Sequence, residues 1–236
     1  MNINAVFFDL DDTLHDHHAP FARSVVPLLS SSNNNQIDTE DVYKTFRFYS
    51  DVLWKEYDSG EIPLYQLRIE RIVRTLKDYG IEVLEEKAIQ FQQSYEQELK
   101  LLTLFPEVPM LLKELTKLGI EIGLITNGPT EHQRLKIQQL GLDEHFSENR
   151  IFISDQVGKA KPNPYIFEVA AREINLPPEE LLYVGDSWEN DVVGPMMAGW
   201  KAVWFNHRGK QPLTEHKPVT EIKALSTILT LVKGDK

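Results

Sequence analysis

Ala5-Val6-Phe7-Phe8-Asp9-Leu10-Asp11-Asp12-Thr13 decides how the chain is read: four apolar residues run straight into three carboxylates and a hydroxyl. The apolar run predicts a buried strand. In extended backbone, residues i and i+2 point to the same side, so Asp9 and Asp11 are expected to project together while Leu10 turns into the core. Two like charges at that spacing repel unless a cation lies between them or one of them holds a proton. Mg²⁺ answers that need, because it prefers hard oxygen ligands and keeps several waters. A carboxylate is also a nucleophile toward phosphorus. A loop of solvated acids would share this composition, and Asp12 reads as a turn or capping acid; these residues alone leave both readings open.

Four further apolar runs read as strands: 120–126, 151–154, Leu181–Gly185 and 202–205. None alternates cleanly, so burial on both faces is expected, as in a parallel sheet covered by helices. Between them, Val108, Leu111, Leu112, Leu115 and Leu118 recur at helical spacing, and Gly119 is a stop signal. Asn163-Pro164 reads as an N-cap and first helical position ahead of a helix over 165–173. The strand–helix alternation from 105 to 206 predicts an α/β fold, a Rossmann-like parallel sheet flanked by helices.

Residues 15–98 break the alternation. Val42, Phe46, Tyr49 and Leu53 mark one amphipathic helix ending near Gly60; Leu64, Leu67, Ile72 and Leu76 mark another ending near Gly80; a third runs over 84–102. With no convincing strand among them, they predict an inserted α-helical domain over 15–98, with the sheet domain formed by 1–14 and 99–236. Ser30-Ser31-Ser32-Asn33-Asn34-Asn35 reads as a short polar loop within the insert, and no internal repeat is present.

The composition narrows the function classes. The 236 residues are 42% hydrophobic and 26% charged, an ordinary globular balance with length for a sizeable core. A net charge of -11 argues against binding a nucleic-acid polymer, which needs clusters of Lys and Arg. It leaves room for a small anion in a local basic pocket. With 0 cysteines, disulfides, thiolate zinc sites and cysteine nucleophiles are excluded. No basic segment precedes an apolar one at the N-terminus and no apolar run approaches membrane-spanning length. The expectation is a soluble cytoplasmic protein, monomeric or homodimeric, with no membrane partner.

Three later segments fall at the carboxyl ends of predicted strands, where open α/β sheets bind ligands. In Leu124-Ile125-Thr126-Asn127-Gly128, the hydroxyl, the amide and the backbone suit a phosphate, or an ordinary turn. In Gly158-Lys159-Ala160-Lys161-Pro162-Asn163-Pro164, Lys161 is biased toward extended backbone by the proline after it and suits a phosphate or a carboxylate, or plain solvation. In Val184-Gly185-Asp186-Ser187-Trp188-Glu189-Asn190-Asp191, Asp186 ends a strand and Asp191 lies about one turn into the next element, where acids also serve as caps.

Taken together, Asp-x-Asp-x-Thr, Thr-Asn, Lys-Pro and Gly-Asp-x4-Asp, in this order, resemble the four motifs of the haloacid dehalogenase-like (HAD) superfamily over nearly the whole chain. The resemblance implies Asp9 as nucleophile and Asp11 as general acid and base. It implies Thr126, Asn127 and Lys161 as phosphate-binding residues. Mg²⁺ would be held by Asp9, the Asp11 backbone carbonyl and Asp186, with Asp191 orienting Lys161 or a metal-bound water. The insert matches the position of the family's first-type helical cap. The implied activity is phosphatase action on a small phosphorylated metabolite through an aspartyl-phosphate.

Leu53-Trp54, Tyr57, Gly60, Ile62, Leu67 and Arg71 further resemble the bacterial house-cleaning 5′-nucleotidases that act on pyrimidine monophosphates. This points to Trp54, Tyr57 and Arg71 as substrate contacts and a nucleoside 5′-monophosphate as substrate; apolar filling of the cap helix interface is the simpler reading of each ring. Sugar-phosphate phosphatases, phosphomutases and 2-haloacid dehalogenases of the same superfamily are the alternatives. Dehalogenases lack the acid at the position of Asp11. A receiver-type signalling domain also pairs acids, Thr and Lys around Mg²⁺, but its phosphorylated aspartate lies on a later strand than its acidic pair. His15, His17 and His18 could ligate a transition metal; the expectation is solvated residues at a hinge or a substrate entrance.

Overall fold

The computed structural model describes residues 2–30 and 37–233, so 31–35 of the polar loop lie outside the described residues. The chain divides into two compact units, one of Met1–Asp16 with Thr103–Lys236 and one of His17–Leu102. Strands are β1 (Ala5–Phe8), β2 (Glu121–Thr126), β3 (Ile151–Ile153), β4 (Leu181–Gly185), β5 (Lys201–Phe205) and β6 (Thr220–Ile222). Helices are α1 (His18–Ser30), α2 (Thr39–Asp58), α3 (Leu64–Asp78), α4 (Glu85–Leu99), α5 (Val108–Lys117), α6 (Thr130–Gln139), α7 (Ser154–Val157), α8 (Tyr165–Ile174), α9 (Gly194–Met197) and α10 (Ile228–Lys233). A π-helical turn spans Trp188–Val193.

The first unit is a Rossmann-like α/β fold. Its described residues form one sheet of six strands in the order β3-β2-β1-β4-β5-β6. Every neighbouring pair is parallel. All four residues of β1 are fully buried, which is why the run does not alternate. Phe7 pairs with Gly123 of β2, and a Cβ at Gly123 would collide with the Phe7 ring. The glycine in an otherwise apolar strand is thus the space into which that ring lies. On the same face Phe7, Ile125, Phe167, Tyr183 and Trp200 belong to one core cluster. Each such large side chain removed from water contributes on the order of 1.5–3 kcal/mol. The strand order reverses between β1 and β4, so the ends of these two strands flank the crevice where such sheets place ligands.

The helical unit has its own core of Phe21, Val25, Val42, Phe46, Ile72, Leu76, Phe91 and Tyr95, drawn from α1 to α4. The Phe21 and Phe46 rings lie 4.7 Å apart and Phe91 stacks on Tyr95 at 5.8 Å.

Local signals were displaced in several places. The helix expected over 84–102 is α4, Glu85–Leu99, and the strands expected over 120–126 and 151–154 each lose one end residue. Ser154 instead opens α7. Pro164 is the cap residue of α8 and not its first helical residue; Asn163 Oδ1 accepts from Tyr165 N at 3.0 Å. Helix α1 carries Pro20 and Pro27, which hide it from propensity. Strand β6 is three residues long, and two of them, Thr220 and Glu221, are polar. Among the described residues, no helix is long and apolar enough to cross a membrane.

Candidate active site

β1 stops at Phe8, and the chain curls instead of continuing extended: Leu14 N donates to Leu10 O at 3.0 Å. Leu10 is fully buried as expected. Asp12 adopts φ 61°, a left-handed conformation that Asp tolerates better than most residues. Its carboxylate accepts from Arg208 at 2.8 Å, and Arg208 also reaches Asp16 at 3.0 Å. Asp9 is tied to the neighbouring strand end by its own N–H, which donates to Val184 O at 2.9 Å. Thr13 Oγ1 donates to Asp9 Oδ2 at 3.3 Å.

Lys161 is 5% exposed and its ammonium donates to Asp9 Oδ1 at 2.7 Å, Asp191 Oδ1 at 2.7 Å and the Tyr183 hydroxyl at 2.8 Å. An ammonium has three donors, so all three are engaged. The Tyr183 hydroxyl in turn donates to Ile125 O at 2.7 Å. Burial alone would lower the Lys161 pKa, but Asp191 and Asp9 outweigh it and raise it well above its ordinary value. Asn127 does not present its amide to an open site. Its Nδ2 donates to Lys161 O at 2.9 Å and its Oδ1 accepts from Lys161 N at 2.8 Å. Both bonds are to the backbone of Lys161, whose peptide bond to Pro162 is cis. Thr126, 1% exposed, ends β2 one residue earlier.

The acids converge. Asp9, Asp186 and Asp191 offer ligand atoms that all lie within 4.8 Å of one another. Asp191 reaches them because Gly185 has no side chain: a Cβ there would collide with the Asp191 carboxylate. Asp191 Oδ2 accepts from Ser187 N at 2.9 Å. Its other oxygen, Oδ1, accepts from the Lys161 ammonium at 2.7 Å. Burial raises the Asp9 carboxyl to about 6 despite Lys161, with Asp191 and Asp11 adding to the rise. Burial likewise raises Asp186 well above its ordinary value, against the pull of Lys210, whose Nζ lies 2.7 Å from Asp186 Oδ2. A buried set of hard oxygens with surplus negative charge fits Mg²⁺, whose charge would return these carboxyls to the ionised form.

Asp11 faces a different pair. Lys136 Nζ lies 2.5 Å from Asp11 Oδ1 and 2.6 Å from Oδ2, and His15 Nε2 lies 3.0 Å from Oδ1. The histidines correct the expectation of a solvated hinge. His15 is fully buried and His17 6% exposed, the latter beside Tyr43 and Tyr95 in the helical unit. His18 is half-buried.

In the helical unit Trp54 and Tyr57 form a ring pair 5.1 Å apart, with Trp54 37% exposed. Arg71 does not join them. Its guanidinium packs 4.5 Å from the Phe46 ring centre and donates to Gln92 Oε1 at 2.9 Å and Ser50 Oγ at 3.5 Å. Burial lowers its pKa to about 10. It is built into the helical core, not presented on the face that carries the ring pair.

Tyr183, Lys136 and Lys210 went unread in the sequence, and His15 was read without its bond to Asp11. Tyr183 is the sole hydroxyl in the apolar run Leu181–Gly185, a usable signal. Lys136 sits on a helix without an apolar stripe and meets a partner 125 residues away.

A family model described as haloacid dehalogenase-like hydrolase matches residues 3–199. The chain is 31% identical over 212 residues to the glyceraldehyde 3-phosphate phosphatase of Methanopyrus kandleri, covering 88% of this chain and 85% of that one. It is 29% identical over 213 residues to the pyrimidine 5′-nucleotidase YjjG of Escherichia coli, covering 88% of each. The solved structure of the HAD-hydrolase YfnB from Bacillus subtilis bound to magnesium is similar with a TM-score of 0.71 at 26% identity, over 98% of this chain and 99% of that one.

Proposed function

Since the chain belongs to the haloacid dehalogenase-like hydrolase family, we propose that it is a Mg²⁺-dependent phosphatase acting through an aspartyl-phosphate on Asp9, with nucleoside 5′-monophosphates as substrates. The observation that carries this is Asp9 and Asp11 on one loop with separate cations, Lys161 on Asp9 at 2.7 Å and Lys136 on Asp11 at 2.5 Å. One acid is placed to attack and the other to move a proton. An aspartate that attacked carbon would not need the second.

Asp9 attacks phosphorus in line and the ester P–O bond breaks, while Asp11 gives its proton to the departing alkoxide. Water then attacks phosphorus, Asp11 takes its proton, and the bond from phosphorus to Asp9 breaks to release inorganic phosphate. Positioned acid–base action of this kind contributes about 10²–10⁴-fold. A phosphoryl oxygen entering beside Asp9 exchanges with one of the three partners of Lys161. Asp9, the Asp11 carbonyl and Asp186 would hold Mg²⁺, which neutralises charge on the phosphoryl oxygens when bound.

The helical unit is the family's cap, and Trp54 and Tyr57 are its surface for a base. The nucleotidase YjjG supports this choice, and the glyceraldehyde 3-phosphate phosphatase relative supports a sugar phosphate instead. Turnover of pyrimidine monophosphates and of ribose 5-phosphate, with free phosphate detected, separates them. With Mg²⁺ the nucleotides have the higher kcat/KM and chelator abolishes both activities. Base stacking at about 1–3 kcal/mol sets the gap, and Trp54→Ala narrows it while sparing p-nitrophenyl phosphate. A preference for ribose 5-phosphate ends the nucleotidase reading, and full activity in chelator ends the metal assignment.

A further inference from the structure

We propose that Lys136 is a positioning residue for Asp11: from α6 it grips both carboxylate oxygens and aims the acid at the leaving group. The proposal rests on the phosphatase reading. Lys136 is drawn inward, 13% exposed in its side chain, against an Asp11 that is 16% exposed, where a helix lysine without an apolar stripe would extend into water. Its Nζ lies 2.5 and 2.6 Å from the two Asp11 oxygens, so the carboxyl cannot rotate without losing one contact. His15 adds a contact at 3.0 Å on Oδ1.

The helix that carries Lys136 is itself fixed to the loop that carries Thr126 and Asn127. Gln133 Nε2 donates to Asn127 O at 2.8 Å. The first turn of α6 is held from α7, where Asp155 Oδ2 accepts from Thr130 N at 3.0 Å and Thr130 Oγ1 at 2.6 Å. Lys136 therefore transmits the position of that loop to the proton-transfer group. A sub-ångström change in such a group's placement is enough to slow transfer.

A double-mutant cycle tests this, with kcat and KM measured in saturating Mg²⁺ on p-nitrophenyl phosphate and on β-glycerol phosphate, an alkyl ester with a poor leaving group. Lys136→Met lowers kcat on the alkyl ester roughly 10-fold, with KM little changed, and lowers it less than about 2-fold on the aryl ester, which departs without a proton. In the Asp11→Asn background Lys136→Met adds no further loss, because its effect runs through Asp11. Lys136→Arg, which keeps a two-point grip, restores most of the rate. Should Lys136→Met fail to fold, Lys136→Gln with a wild-type Tm gives the same comparison. Equal losses on the two esters, or an added loss on top of Asp11→Asn, overturn the proposal while leaving the phosphatase reading in place. If the wild-type protein hydrolyses neither ester, the phosphatase reading falls and the proposal with it.

Discussion

At the scale of single residues, the site works by committing every donor of one buried lysine. Two partners of Lys161, Asp9 and Asp191, are carboxylates; the third is the Tyr183 hydroxyl. Tyr183→Phe removes that third contact and the bond to Ile125 O. At about 1 kcal/mol for each lost hydrogen bond, the two together cost about 2 kcal/mol, or about 4–8 °C in Tm at this chain length. With one donor unmatched, Lys161 no longer has a single resting geometry, so kcat on p-nitrophenyl phosphate falls several-fold. A wild-type kcat alongside the lowered Tm would show that the hydroxyl serves packing alone. Asp9, Thr126 and Asp186 drew notice because each closes or follows an apolar run, whereas Asp11, Lys161 and Asp191 took their roles only from the order of the four motifs. Tyr183, Lys136 and Lys210 were not legible, because each matters through a partner 22 to 125 residues distant. Arg71 shows the reverse: a motif position drawn as a substrate contact is taken up by Phe46 and Gln92.

At the scale of elements, the strand and loop geometry carries the acids and the helices hold the loops. The N-terminus of α6 has no side-chain cap of its own, since Pro129 occupies that position. Asp155 supplies the cap from α7. Its carboxyl is held below the ordinary range by the two Thr130 hydrogen bonds. The stabilisation is therefore present above the ordinary carboxylate pKa and is lost as pH falls through the lower folded value. Asp155→Ala costs about 1 kcal/mol at neutral pH, as cap losses do, and the difference from wild type shrinks below that value in urea titrations. A penalty that persists unchanged in acid contradicts the capping role. Periodicity found β1, β2, β4 and α5 because buried strands and a one-faced helix leave strong patterns. It passed over α1 with its two prolines and β6 with its three residues, where tertiary contacts override local preference.

At the scale of the whole molecule, a chain of net charge -11 gathers Lys161, Lys136 and Lys210 around four acids beyond the carboxyl ends of the central strands β1 and β4. The two units each carry a core of their own, one around β1 and one around Phe21 and Phe46. Under the proposed function, chemistry belongs to the first and selection among phosphate esters to the second, so substitutions in the helical unit should change which ester is preferred. The central claim, that Asp9 accepts the phosphoryl group, is tested most directly by acid-quenching the protein during turnover of p-nitrophenyl phosphate with Mg²⁺ and mapping the product by mass spectrometry. The account predicts one added phosphoryl group on the peptide that carries Asp9, absent from the Asp9→Asn protein. Hydrolysis that proceeds with no phosphoryl group on that peptide, and survives Asp9→Asn, would contradict it.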